Sequence, residues 1–169
     1  SAADDEGAAL TPPSVLVLAC GALARELLAV VGANGFTNLV VECLPASLHH
    51  TPAAIGDALR HRLSAIARNF DRIVVGYADC GTVGEVDEVC AEFDALRRPG
   101  EHCFEFYAGE DVYGQLQDGE PGTFYLTDFL ARHFELFVID QLGITDHPEL
   151  EELYFGNYLR MIYLSQAAT

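Results

Sequence analysis

Three mainly apolar runs punctuate the first half of the chain, and each is followed by a stretch whose apolar residues recur at helical spacing. SVLVLAC (14–20) reads as a continuous buried strand, NLVVECL (38–44) as the next strand and RIVVGYA (72–78) as a third, its RIVV run buried. Between the first two, ALARELLAVVGANG (22–35) predicts a helix stopped by glycine. Thr51, followed by Pro52 in the first helical position, opens a second helix through AAIGDALRHRLSAIARNF. GEVDEVCAEFDALR (84–97) predicts an amphipathic helix with Val86, Val89, Cys90 and Phe93 on one face. HCFEFY (102–107) reads as a fourth short strand. From about Thr123 the chain reads as helical, through TDFLARHFELFVIDQLGI and HPELEELYFGNYLRMIYLSQ.

Strands alternating with helices imply right-handed βαβ units and a parallel sheet. The expected fold class is therefore α/β: one domain over residues 14–169, a mostly parallel sheet of four or five strands flanked by helices, and a helical C-terminal region. Residues 1–13, SAADDEGAALTPP, read as a flexible acidic leader, with Ser1 in the position of a cloning remnant.

Composition narrows the partners. Half of the 169 residues are hydrophobic, enough for a sizeable core. No apolar run reaches the roughly 20 residues that span a bilayer, and the N-terminus lacks a signal-peptide pattern, so the reading is cytoplasmic. The formal charge is −17, and all nine cationic residues are arginine. A field of that sign repels phosphate backbones and anionic lipid, which argues against nucleic acid and membrane partners. A small-molecule substrate or a protein partner remains, and the aromatic series Tyr154, Phe155, Tyr158 and Tyr163 suits a core or a homodimer face. GTVG is no phosphate loop without a lysine, and GxGxxG is absent, which argues against ATP and NAD.

The chemistry lies in the cysteines: Cys20, Cys43, Cys80, Cys90 and Cys103. An odd number without a CxxC pair argues against a disulfide framework or a locally written zinc ribbon. In open parallel sheets, sites form beyond the carboxyl ends of the strands. Cys20 ends the first strand, His49 and His50 follow the second, Cys80 follows the third, and Cys103 lies in the expected fourth. That soft Cys/His set suits zinc, with iron as the alternative. Gly21 and Gly81, beside two of the cysteines, permit close backbone approach or positive φ. Asp79 touches Cys80 and could orient a histidine or accept a proton, although a turn-forming aspartate is the simpler role. His50, His102 and Glu105 are the neighbouring polar groups that would support the ligands.

Other residues have plainer readings. Cys43, within a strand, and Cys90, on an apolar helix face, read as packing. His61 reads as solvated, His133 as core edge and His147 as a helix-start residue.

The segments VLACGAL, LPASLHHTP, VVGYADCGTVG, HCFEFYAG and PGTFYLTDF together resemble the domain of unknown function 1638 family over roughly residues 15–165. That family carries a Cys-Gly after its first strand, a Leu-Pro-Ala…Leu-His segment, a Gly-Tyr-Gly-Leu-Cys-Gly motif, an Asp-Cys-Ile segment and a Pro-Gly-Thr segment. Position by position, the resemblance marks Cys20, His49, Cys80 and Cys103 and leaves out Cys43 and Cys90. It implies a link to corrinoid-dependent methyl transfer. This chain departs from the pattern at Ala78-Asp79, where the family has Gly-Leu, and at His102, where it has Asp. Both changes place a polar group beside an expected ligand.

Three functions follow as expectations. The first is one zinc ion held by Cys20, His49, Cys80 and Cys103, serving thiol- or methyl-group transfer in one-carbon metabolism. The second is a metal-free enzyme with Cys80 as nucleophile, its thiolate helped by the next helix N-terminus and by His49 or His102. The third is a non-enzymatic metal-binding accessory protein.

Overall fold

The computed structural model describes residues 13–166. The leader expected over residues 1–13 lies, up to residue 12, outside them. The chain begins with β1 (Val15–Cys20), α1 (Ala24–Asn34), β2 (Leu39–Leu44), α2 (Ile55–Ile66), β3 (Arg72–Gly76), α3 (Glu85–Glu92) and β4 (Leu96–Arg97). These strands form one sheet in the order β2-β1-β3-β4, with every pair parallel. The expected α/β architecture is present. β1 is central and its four middle residues are buried, which is why it reads as a continuous apolar run. One sheet face packs against α2 and α3: Leu16, Leu18, Ile55, Leu59, Leu63, Val75, Val86 and Val89 are all fully buried. Cys90 lies in the same cluster, as its helical spacing suggested.

The fourth strand is not HCFEFY. It is Leu96–Arg97, which pairs with Val74 and Val75 of β3. The helix read through residue 97 ends at Glu92, where Asp94 turns to positive φ and the chain re-enters the sheet. HCFEFY instead starts α4 (Phe104–Ala108). Its apparent strand alternation loses to a local cap: the Glu105 carboxylate accepts the Glu101 and His102 amides at 2.8 and 3.1 Å, which winds the chain into a helix.

The remaining elements are α5 (Glu110–Gly119), β5 (Thr123–Thr127), α6 (Asp128–Arg132), α7 (Leu150–Phe155) and β6 (Arg160–Leu164), with a π-helical turn over Glu135–Asp140. Much of this region is helical, as expected, but two strands punctuate it. β5 and β6 pair in parallel as a second, small sheet. β5 buries Thr123, Tyr125 and Thr127 on one face, while Arg160 of β6 donates to Thr123 Oγ1 and to the Leu116 carbonyl. YLRMIYL reads as helix in isolation because only pairing with β5 reveals its alternation. No helix among the described residues is long and apolar enough to cross a membrane.

Candidate functional site

The strand order creates the site. From β1 the chain moves to β2 on one side, and from β3 to β4 on the other, so the crevice between the carboxyl ends of β1 and β3 is the topological switch point. Cys20 closes β1 there. Tyr77 and Ala78, both buried, extend β3 toward Cys80. Gly21 lets the chain pass over the end of β2: a Cβ on it would stand 2.9 Å from the Leu44 carbonyl oxygen.

Asp79 holds the loop that carries Cys80. Its carboxylate accepts the Gly81, Val83 and Gly84 amides at 3.2, 3.1 and 2.7 Å and the Thr82 hydroxyl at 3.1 Å. These bonds, the Gly84 amide foremost, hold the Asp79 carboxyl below its ordinary range. The loop is further pinned from outside, since the Asp79 and Cys80 amides donate to the carbonyls of Gly100 and Glu101 at 2.8 Å each. Within it Cys80 and Val83 adopt left-handed φ values of 52° and 55°, costly for residues with a Cβ. Asp79 thus gathers the amides of Gly81, Val83 and Gly84 just ahead of α3, while the Glu85 amide donates to the Thr82 carbonyl.

Cys20, His49, Cys80 and Cys103 all line one cavity of about 40 Å³, space for an ion or a water rather than an organic molecule. β1 supplies Cys20, the 3₁₀ turn Ala46–His50 supplies His49, the Asp79 loop supplies Cys80, and the cap of α4 supplies Cys103. Phe104 and Tyr107 join Cys103 on the cavity side of α4. Tyr107 is tethered there by its hydroxyl, which donates to the Ala22 carbonyl at 3.1 Å.

The thiols are electrostatically distinct. A hydrogen bond from Cys103 lowers the Cys80 pKa, against the opposing effect of burial. The same interaction, with burial, pushes Cys103 well up. Burial raises Cys20 as well, and proximity to Cys80 adds to it. His49 stays exposed as a residue, yet the crowding of its ring lowers its pKa, with His50 and His102 contributing. It is therefore a neutral imidazole near pH 7, the form that ligates metals.

All five cysteines are free thiols. Among the described residues, no group of three or more His, Cys, Asp or Glu side chains stands assembled around a common metal position. The donor types suit a soft metal, and they converge on one cavity without being pre-closed on a centre.

The other expected residues lie around this set. Asp79 faces its loop and not the cavity. Glu105 caps α4. His50 and His102 border a second cavity, with His102 edge-on to Tyr113 and His50 against Phe137. Cys43 pairs across to Ala19 and lines neither cavity. Sequence reading missed Tyr77, which is 2 % exposed and lines the thiol cavity beside Cys20. Its place in GYADCG, three residues before Cys80, was the available signal. It also missed Phe137 of the π-helical turn, which borders both cavities.

A family model described as protein of unknown function (DUF1638) matches residues 43–169. The match takes in His49, Cys80 and Cys103 and begins after Cys20. No curated protein and no solved structure matches the chain.

Proposed function

The chain belongs to the DUF1638 family, and within that family we propose that it is a metal-binding thiol protein whose Cys20, Cys80 and Cys103, with His49, take up one zinc ion. The observation that carries this reading is the convergence of three thiols and a neutral imidazole on one cavity at the switch point of the sheet. Burial that raises Cys20 and Cys103 is the environment a divalent cation would offset, since thiols bind it as thiolates. Bound zinc keeps thiolates deprotonated and nucleophilic, as thiol- or methyl-group transfer requires. Asp79 acts as a positioning residue that holds Cys80 in its strained conformation. Tyr77 presents a hydroxyl to the cavity beside Cys20. The substrate is a small molecule, and the protein works in the cytoplasm, with exposed Tyr154, Tyr158 and Tyr163 available for homodimer contact.

The test is metal content by inductively coupled plasma mass spectrometry on protein purified without chelator or nickel. About one zinc per chain is expected, with most of it lost in Cys80→Ser and retained in Cys43→Ser. Iron with a charge-transfer band would keep the ligands and change the metal. Full occupancy in Cys80→Ser would sink the proposal.

A second reading has its own observation. Cys80 alone among the cavity thiols has a lowered pKa, with Cys103 as the donor. On that reading Cys80 is a metal-free nucleophile. Iodoacetamide should then label Cys80 first and stoichiometrically in metal-free protein. Equal, slow labelling of all five cysteines counts against it.

A further inference from the structure

The thiol cavity opens outward. His49, Phe104, Leu130 and Phe137 line both it and a second cavity of about 430 Å³. The outer volume falls within the roughly 300–1,000 Å³ of small-molecule sites. One buried polar atom without a partner, His50 Nε2, belongs to a residue that lines the outer cavity. Buried polar atoms are nearly always satisfied, so an orphan that borders a cavity points to a ligand that satisfies it.

The character of the walls selects the ligand. The chain carries 26 acidic and nine arginine side chains, and none of those among the described residues lines either cavity. A phosphate, a carboxylate or an ammonium group would meet no permanently charged partner there, only the imidazoles of His49, His50 and His102, and would enter at a desolvation cost. An aromatic cage could still hold a cation through ring faces, but these rings spend their faces on one another. Phe104 and Tyr125 pack tilted against each other at 5.3 Å and 32°, and Tyr113 and Tyr125 at 5.2 Å and 50°.

We infer that the outer cavity binds an uncharged, ring-sized small molecule, its apolar body among Phe104, Tyr113, Phe124 and Tyr125 and one polar end directed past His49 toward the thiols. The inference deepens the proposed thiol chemistry by naming its substrate class. It rests on that reading for what happens to the bound molecule, but not for the binding itself.

Titration calorimetry of the full chain with indole, benzoate and tetramethylammonium tests it. Indole should bind, and the two charged probes at least about tenfold more weakly. Leu142→Trp, which fills the outer cavity from a half-buried wall position, should weaken indole by about tenfold or more. Should that variant fail to fold, Gln117→Glu is the second arm, because it retains an acceptor for the Tyr125 hydroxyl. It should weaken indole and give tetramethylammonium measurable affinity. Charged probes that bind as well as indole, or indole affinity unchanged in the folded variants, would overturn the inference. Indole binding should persist in Cys80→Ser, because Cys80 lines only the inner cavity. Indole bound by wild-type protein that holds no metal overturns the zinc reading alone. Zinc bound with no indole affinity overturns this inference alone.

Discussion

Gly76 at the end of β3 lies flat against Ala19 of β1: a Cβ on Gly76 would stand 2.6 Å from the Ala19 Cβ. This contact sets the separation of the two central strands at the point where Cys20 and Cys80 leave the sheet. Gly76 itself lines the thiol cavity. Gly76→Ala would force β1 and β3 apart, an overpacking cost of about 1–3 kcal/mol. Urea denaturation should show that loss, and zinc content should fall with it. Unchanged stability would mean the strands can yield without strain.

Asp79→Ala removes the acceptor for three amides and a hydroxyl in the Cys80 loop. Leaving such donors unpaired should cost about 1–3 kcal/mol in total, moderated by water reaching the exposed side of the loop. Asp79→Asn, which keeps oxygen acceptor capacity, should lose less. A general-base role predicts a different pattern, in which Asn and Ala are equally inactive while stability is retained. Thermal melts of both variants, run beside a thiol-labelling assay, separate the two roles.

Val83 is 93 % exposed at a φ of 55°, so its side chain has little packing to lose and a backbone strain to relieve. Val83→Gly should stabilise the protein by up to about 1 kcal/mol, the strain relief being partly offset by the greater freedom of glycine in the unfolded chain. A lower denaturation midpoint would refute the left-handed geometry of this loop.

Three carboxylates outside the thiol cavity make stability depend on pH in the same direction. Asp71 is held below its ordinary range by the Ser14 amide and hydroxyl, Asp87 by Arg97, and Glu42 by Arg62. Their folded pKa values lie below the unfolded values of about 4. The stabilisation is therefore complete above that range and is lost as pH falls through the depressed folded values. Thermal melts should show a falling midpoint below about pH 4. Asp87→Asn should lower the midpoint at pH 7 and flatten the acid limb. An acid limb unchanged by Asp87→Asn would mean the Arg97 pair contributes nothing.

The family match over residues 43–169 takes in three of the four residues that the strand-end rule selects, and only Cys20 lies before it. The first three strands, α1 through α3 and the parallel sheet were legible because apolar runs and helical periodicity are local signals, although the edge strand β2 stays partly exposed. Cys20, His49, Cys80 and Cys103 were legible as a set because a parallel sheet sends the ends of its strands to one edge. Their convergence on one cavity follows from topology rather than from spacing along the chain.

Other features had no local signature. β4 is two residues long and exists only because β3 offers Val74 and Val75 as partners. HCFEFY alternates like a strand, but Glu105 captures two amides and turns it into a helix, a competition decided by one side chain. β6 is recognisable only beside β5. The uncharged outer cavity is assembled from the α4–β5 region, the 3₁₀ turn at His49 and the π-helical turn, elements far apart in sequence. The α/β class and the reactive residue types can be read along the chain, because periodicity and residue chemistry are carried by neighbours in sequence. Tertiary structure alone decided that Asp79 serves its loop, that Cys103 lowers Cys80 and that Tyr77 faces the cavity. Each of those depends on which segments the sheet brings together.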